Sequence, residues 1–560
     1  MLGRLVGLET EYAIRFAPAA GKRAPGNRAI YRALAEAIGR EVSVLPGERR
    51  GGEEGRFFTE SGASFCYEHL PIEPEGGLIE AGTPECLGPS QLICHQKALD
   101  RLLEKAIPVA QQILTERGHP GELGLLKNCR DAEGHIYGAQ ENYEAEVAKG
   151  LALFAYRASL VIVLPLVAIH CVIAWALAIV MMMLLLCVGL PLLGLAAWLV
   201  PRWRPSIATL FDQDDSRFER TTARMLWGFD RVLSSVTTAI AGLPFRLFAF
   251  RRQRRALLGF LVSRCILTGA GSLAADGRFG LSEKGPAIRR IMRVTAAPGD
   301  RPLFDTGNLL KELFGILQLR FSSYTRLFER CQRLQLGLSD SNVAQIAEYL
   351  KVGTTSLVLH MAEAGLLEDA PRPRRPIAAL HAFAADPGLQ ARAPIVRRAP
   401  MSALEIQRYY LDKAREFLRS TPTPSLEAQE LISLWGDVVA ELERAPSRLF
   451  GVLDWPTKLA LVERCGENAR AAVRKKVDLR YHELGVGYYA ALESNGLARR
   501  IVGDQEIEEA TRTPPEQTPA RLRGELIRQV ARSGGEGSAG WDRVRLGKRF
   551  RGKVIPLRRP

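Results

Sequence analysis

Along residues 5 to 12 the side chains alternate, with Leu5, Gly7, Glu9 and Glu11 on one parity and Leu8, Thr10 and Tyr12 on the other. A period of two predicts a short strand and puts Glu9 and Glu11 on the same face. Two carboxylates that close raise each other's pKa unless a cation lies between them. The pair therefore asks for a hard metal such as Mg²⁺ or for a proton-handling role; the plainer reading is a solvated edge strand. IYRALAEAIG, 30 to 39, has helical spacing, and PGERRGGEEG, 46 to 55, is a charged glycine loop. GRFFTESG, 55 to 62, predicts a strand ending in a turn, with Glu60 at its mouth and Arg56 four residues earlier. After an insert-like stretch, 63 to 77, LIEAGTPEC (78 to 86) predicts strand and turn, then an amphipathic helix from about Pro89 to Ala106. LLKNCRDAEGHIYGAQENYE, 125 to 144, has hairpin character, with Asp131 and Gly134 at the turn. Three strands, antiparallel on this reading, each deliver glutamate: Glu9 and Glu11, then Glu80, then Glu141.

From Ala158 to Pro201 only Ser159 and His170 are notably polar. A bilayer crossing needs about 20 apolar residues, so this stretch predicts two short crossings or a re-entrant hairpin; a buried pair of soluble helices is the other reading. Lys149 and Arg157 precede it, Arg202 and Arg204 follow, and Trp198 and Trp203 mark one interface. Positive charge at both ends places both on the cytosolic side, which requires an even number of crossings. Residues 216 to 242 read as a helical link. LPFRLFAFRRQRRALL, 243 to 258, with three phenylalanines and five arginines, suggests an anchor on anionic lipid or a basic helix that meets a partner. Beyond it, LQLGLSDSN (334 to 342) ends a strand, and 343 to 365 has helical periodicity. Ser402 with Glu405 makes a capping box for a helix through Leu418, and 482 to 498 reads as a helix ending at Gly496. From about Thr511 the chain turns basic and proline-punctuated.

Composition narrows the choices. At 560 residues and 47% apolar, the chain can bury one large catalytic domain with additions. The net charge of +15 fits nucleic acid or an anionic membrane. Because the excess gathers near the hydrophobic segment and in the C-terminal tail, the membrane is favoured and no nucleic-acid partner is expected. Nine cysteines without CxxC and eight histidines without HExxH or HxxH spacing indicate reduced thiols and no zinc site. The basic start lacks an apolar stretch, so no signal peptide is expected.

GLETEY, GRFFTESG, LIEAGTPEC, LLKNCRDAEGHIYGAQENY, SDSN with LKVGTTSLVLHMAEAG, SALEIQRYYLDKA, LDWPTKLALVERC and TPARLRGELIR together resemble the Pup ligase and depupylase family, in order over roughly 1 to 150 and 257 to 560. The resemblance implies an α+β fold similar to glutamine synthetase, a curved antiparallel sheet flanked by helices with a small C-terminal domain. Here it is interrupted by the transmembrane hairpin. The expected domains are 1 to 150 and 257 to 505 as two parts of the catalytic domain, 151 to 256 as a membrane module, and 506 to 560 as the C-terminal domain.

The implied chemistry uses ATP and Mg²⁺. The γ-carboxylate of a Pup-like modifier's C-terminal glutamate becomes an acyl phosphate, which a lysine of a target protein attacks. By motif, Glu9, Glu80, Glu11 and Glu141 are the implied metal residues, Arg56, Thr83, Trp541 and Arg521 the implied nucleotide contacts, and Glu60 the implied base, one methylene longer than the family's aspartate. Glu68 and His69 offer a competing alignment for part of this site. Phe58 stands where the family has a metal-facing tyrosine, and no histidine lies between Arg301 and Arg333 where a metal ligand is expected. The short connector between Glu11 and Gly55 sits closer to the ligase than to the depupylase. The alternatives are a hydrolase at the same site, a small-molecule glutamate–amine ligase and an inactive membrane scaffold. Localisation at the cytoplasmic membrane, with the catalytic domain on the cytoplasmic side, completes the expectation.

Overall fold

The computed structural model describes residues 2–47, 53–69, 76–203, 237–293, 301–315, 321–466, 469–548 and 552–557. Its centre is β1, Leu5–Pro18, whose alternation sorts its two faces. Val6, Leu8, Thr10 and Tyr12 are buried, and behind them runs α2, Gly88–Glu116. The Tyr12 hydroxyl donates to Asp100 of that helix at 2.7 Å. Pro89 in its first turn is pre-set for helix. The helix was expected to end near Ala106, but it runs on through Pro108 to Glu116, because Ala110, Ile113 and Leu114 remain buried on the same core. Asn27–Glu41 forms α1, which joins α2 in that core through Ile30, Leu34 and Ile38.

The remaining strands are β2 (Val44–Pro46), β3 (Glu53–Thr59), β4 (Ser64–His69), β5 (Gly77–Gly82), β6 (Cys86–Leu87), β7 (Gly121–Leu126), β8 (Gln140–Glu146), β9 (Ser272–Leu273), β10 (Phe279–Gly280), β11 (Arg290–Met292), β12 (Pro302–Asp305) and β13 (Cys331–Leu336). The main sheet has the order β11-β12-β13-β8-β1-β5-β4-β3-β2, with β6 and β7 also on β1. Its pairs are antiparallel except β11 with β12. The expected 125 to 144 hairpin is not formed. Instead β7 pairs with the second half of β1 and β8 with its first half, so each finds its partners on the longer strand. Only a bridge between Arg130 and Ile136 closes the turn itself.

The apolar segment also departs from the hairpin. It is one helical run of 49 residues, Leu151–Leu199: α3 (Leu151–Leu184), a π-helical turn at Leu185–Gly189, then α4 (Leu190–Leu199). No residue inside it supplies the chain reversal that a hairpin needs. Its first part is docked: Tyr156, Leu160, Val163, Val167 and Cys171, three or four apart, join the core that holds Phe245, Leu257 and Phe260. From Val172 to Leu199 no described side chain is buried. The basic segment is a short helix, Leu243–Leu247, followed by a second, Arg251–Ser263. Most of the expected 216 to 242 link lies outside the described residues.

Gln345–Ala364 is helical and stops at Gly365, and the Ser402–Glu405 capping box heads the helix Ala403–Ser420. The helix expected at 482 to 498 shrinks to Tyr488–Ser494, because His482 to Leu484 join β7 instead: Glu483 bridges Leu126, the Lys127 N–H donates to the His482 carbonyl, and the Leu484 N–H donates to the Leu125 carbonyl. The C-terminal part is a helix, Pro519–Ser533, with a three-stranded sheet at Gly537–Ala539, Arg543–Leu546 and Lys553–Pro556. It packs on Leu45 and Phe58 at the β2–β3 end of the main sheet.

Candidate active site

Directly opposed residues of an antiparallel pair share a face, so the register decides which acids meet. Glu11 opposes Glu80, and Glu80 opposes Cys66. Two residues along β4, Glu68 falls on the same face by parity. Carboxylate oxygens of Glu11, Glu68 and Glu80 all lie within 4.8 Å of one another. The Glu11 carboxylate accepts the Gly138 N–H at 2.6 Å. Glu68 pays for the crowding: the charge of Glu11 beside it, then burial and the charge of Glu80, push its carboxyl up to about 9.

Arg56 reaches this cluster because β3 is bulged. The register shifts between Glu54 and Phe57, and Gly55 adopts φ +61°, with a Cβ there lying 3.0 Å from the Tyr31 ring. The re-aimed guanidinium donates to Glu80 Oε1 at 3.1 Å and to Ser64 Oγ at 3.1 Å. Trp541 lies between the C-terminal strands Gly537–Ala539 and Arg543–Leu546 and over the same face. A Cβ on Gly82, the register partner of Glu9, would stand 3.3 Å from the indole. Phe58 meets that ring edge-on with centroids 5.2 Å apart, and the buried Arg523 guanidinium lies 4.9 Å from it.

Several expected residues do not join. Glu60 sits in the β3–β4 turn, where it accepts the Ser43 N–H at 3.3 Å and faces Arg512 at 3.7 Å; the carboxylate the sheet brings to the cluster is Glu68. Glu141 opposes Leu8, not Glu9, so it projects to the opposite face. There it is buried and held by both Arg264 nitrogens, at 2.5 and 2.9 Å, and by the Tyr143 hydroxyl at 2.6 Å. Thr83 uses its hydroxyl to accept the Leu8 N–H at 3.1 Å. Arg521 is paired with Glu516 and Glu525, each at 3.2 Å. Glu9 shares the cluster's face, but its Oε1 is bound by Arg333 at 2.6 Å.

Arg333, Arg523 and Gly138 carry no local signal in the sequence that would mark them. Glu68 does carry one: in SFCYEH, Phe65 and Tyr67 are apolar and buried on one face, which sends Cys66 and Glu68 to the other.

Three hard oxygen donors converging from β1, β4 and β5 fit a Mg²⁺ ion, which takes oxygen ligands, and a group driven toward protonation by its neighbours is what an added cation would relieve. A second acidic group, Asp131, Glu133 and His135, lies on the turn after β7.

A mixed sheet with helices behind it and an acidic, arginine-bearing front defines an α+β protein with its charged side chains gathered on one face of the sheet. Residues 4–545 match the family model described as Pup-ligase protein, and the chain belongs to that family. Among its relatives, the Pup–protein ligase of Acidimicrobium ferrooxidans is 26% identical over 505 residues, covering 88% of this chain and 84% of that protein. The Pup deamidase/depupylase of Mycolicibacterium smegmatis is 34% identical over 296 residues, 51% of this chain and 56% of that one. The fold is that of the ligase PafA: in the crystal structure of its complex with the prokaryotic ubiquitin-like protein Pup, the TM-score is 0.67 at 20% identity, covering 100% of this chain and 90% of that one. PafA in complex with ADP gives 0.61 at 19% identity, covering 98% and 93%.

Proposed function

We infer that this chain is an ATP-dependent Pup–protein ligase. The observation that carries the reading is the Glu11, Glu68 and Glu80 cluster with Arg56 beside it, on the face that Trp541 borders, in a chain of the Pup ligase family. The reaction joins a Pup-like modifier to a target lysine in two steps. A γ-carboxylate oxygen of the modifier's terminal glutamate attacks the γ-phosphorus of ATP, and ADP leaves. The lysine amine then attacks the acyl carbon, phosphate leaves, and the amine gives up its proton.

Arg56 suits the transferring phosphoryl group, since its guanidinium stays charged and forks onto two oxygens. Trp541, only partly buried at the border of this face, is the ring we assign to adenine. Glu68, rather than Glu60, is read as the acceptor of the lysine proton when its carboxyl is ionised. Glu11 and Glu80 would hold Mg²⁺, which neutralises phosphate charge when bound. The test is conjugate formation by purified protein with MgATP, a Pup-like protein ending in glutamate and a lysine-bearing target. Modifier-dependent ADP release with a shifted conjugate band supports the ligase, and no nucleotide binding defeats it.

The 34% identity to a depupylase favours one second reading, hydrolysis at the same site with water as acceptor. Cleavage of a preformed conjugate without net synthesis would select it.

We further propose attachment to the cytoplasmic membrane through Val172–Leu199. A helix apolar all round and exposed all round has no aqueous solution to its surface. These residues extend about 42 Å, against a hydrocarbon core of about 30 Å. Because β8 before the segment pairs with β13 after it, both ends stay on one side and the stretch enters the bilayer without a net crossing. Exposed Arg251, Arg252 and Arg255, close to the docked start of the helix, suit anionic headgroups. Sedimentation with membranes after alkaline carbonate washing tests the attachment.

A further inference from the structure

Glu9, like Glu80 beside Arg56, has a guanidinium against it, and a second donor meets its other oxygen. Arg333 Nη2 donates to Glu9 Oε1 at 2.6 Å, and Arg333 Nε donates to Asn142 Oδ1 at 2.6 Å, so the side chain is held at both ends of its head group. Register explains the reach. Arg333 lies across from Glu144 on β8, and Gln140 of that strand opposes Glu9, so the arginine runs diagonally over Asn142, whose partner on β1 is Gly7, with no side chain in the way.

Gln335 closes the other side. Its Oε1 accepts from Asn308, which turns its amide nitrogen toward Gln140 Oε1 and toward Glu9 Oε2, the latter at 3.5 Å. Glu9 thus faces donors on both oxygens. An arginine does not lose its proton at any working pH, so this cation cannot give way by titration.

We propose that Arg333 is a fixed cation standing where a second divalent ion would bind, so that this face of the sheet holds one ion, at Glu11 and Glu80 beside Glu68, with Glu9 reserved for the guanidinium. This rests on reading those three glutamates as the ion site. Arg333 is a positioning residue: it sets the number of ions on the face and leaves the three-glutamate site intact. With the arginine removed, oxygens of Glu9, Gln140 and Asn142 remain together on one face, a donor set suited to a hard cation.

The test is a count of bound Mn²⁺ on nucleotide-free protein, read as the loss of the free-ion EPR signal during titration. One ion per chain is expected in the wild type, none in Glu80→Gln, and two in Arg333→Ala. Arg333→Lys, which keeps the charge, should stay at one. Two ions in the wild type, or one in a folded Arg333→Ala with an unchanged thermal midpoint, overturns the proposal. No ion in the wild type overturns the ion-site reading beneath it, whatever the arginine variants do. The assay involves no turnover, so failure of ligase activity leaves the count readable.

Discussion

Glu11 and Glu80 are register partners across β1 and β5, so two carboxylates from strands about seventy residues apart face each other on one side of the sheet. Glu68 completes the group from β4, and this geometry separates it from Glu60, only eight residues earlier in the chain. Glu68→Gln should lower conjugate formation by about 10²- to 10⁴-fold, the usual range for losing a proton acceptor. Glu60→Gln should stay within a few-fold of wild type, because its contacts are the Ser43 backbone and Arg512. Gel-shift conjugation rates compare the two, and the reverse ranking would return the base to the turn.

Glu141 predicts a stability effect, not a metal effect. Its bidentate partner Arg264 is almost fully buried, so Arg264→Met leaves a carboxylate uncompensated in the core, at a cost of about 3–5 kcal/mol. The urea midpoint should fall accordingly. Glu141→Gln, which keeps the shape without the charge, should bind as many Mn²⁺ ions as the wild type.

Much of this is legible in the sequence and some is not, for a reason of range. The parity of β1 is local, so alternation alone puts Glu9 and Glu11 on one face. The Ser402 capping box is local too. Which face Glu141 takes depends on whether it opposes Leu8 or Glu9, and a slip of one residue reverses the answer. GRFFTESG and SFCYEH each offer a strand with an acid near its end, and only the pairing of β4 with β5 chooses between Glu60 and Glu68. Arg333 and Glu9 meet across 324 residues, and no spacing rule spans that distance.

Trp541 should govern nucleotide affinity and Arg521 should not. The indole lies against Gly82, over the face, whereas Arg521 is exposed and paired within its own helix region. Trp541→Ala should weaken ATP binding by about 1–3 kcal/mol, the range for base–aromatic stacking. Arg521→Ala should change it little. Calorimetric titration with a non-hydrolysable ATP analogue reads both.

Glu104 on α2 gives a pH signature independent of the site. Burial, with the charge of Asp100 adding to it, raises its carboxyl from 4.5 to about 7. An acid whose folded pKa is raised binds its proton more tightly in the folded state, so stability falls as pH rises from about 4.5 and the loss is complete above about 7. Glu104 is partly exposed, which tempers the size to on the order of 1–2 kcal/mol. Chemical denaturation at pH 5 and pH 8 should show this loss in the wild type and a smaller one in Glu104→Gln.

The apolar helix makes the last prediction, and its two halves make it decisive. The docked half, through Tyr156, Leu160, Val163 and Val167, belongs to the catalytic core. The exposed half, from Val172, touches none of that core through a buried side chain. Removing the first should unfold the domain, whereas changing the second should move the protein without harming its chemistry. Leu184→Asp with Leu186→Asp places two charges near the middle of the exposed stretch, each costing about 2.5–3.5 kcal/mol in a bilayer. That is enough to shift the protein from the membrane pellet toward the soluble fraction while the specific conjugation rate stays close to wild type. Release without loss of activity ties the segment to location alone, through lipid. Retention in the pellet would mean that the arginines of 246 to 255 hold the protein there, and a salt wash would then release it.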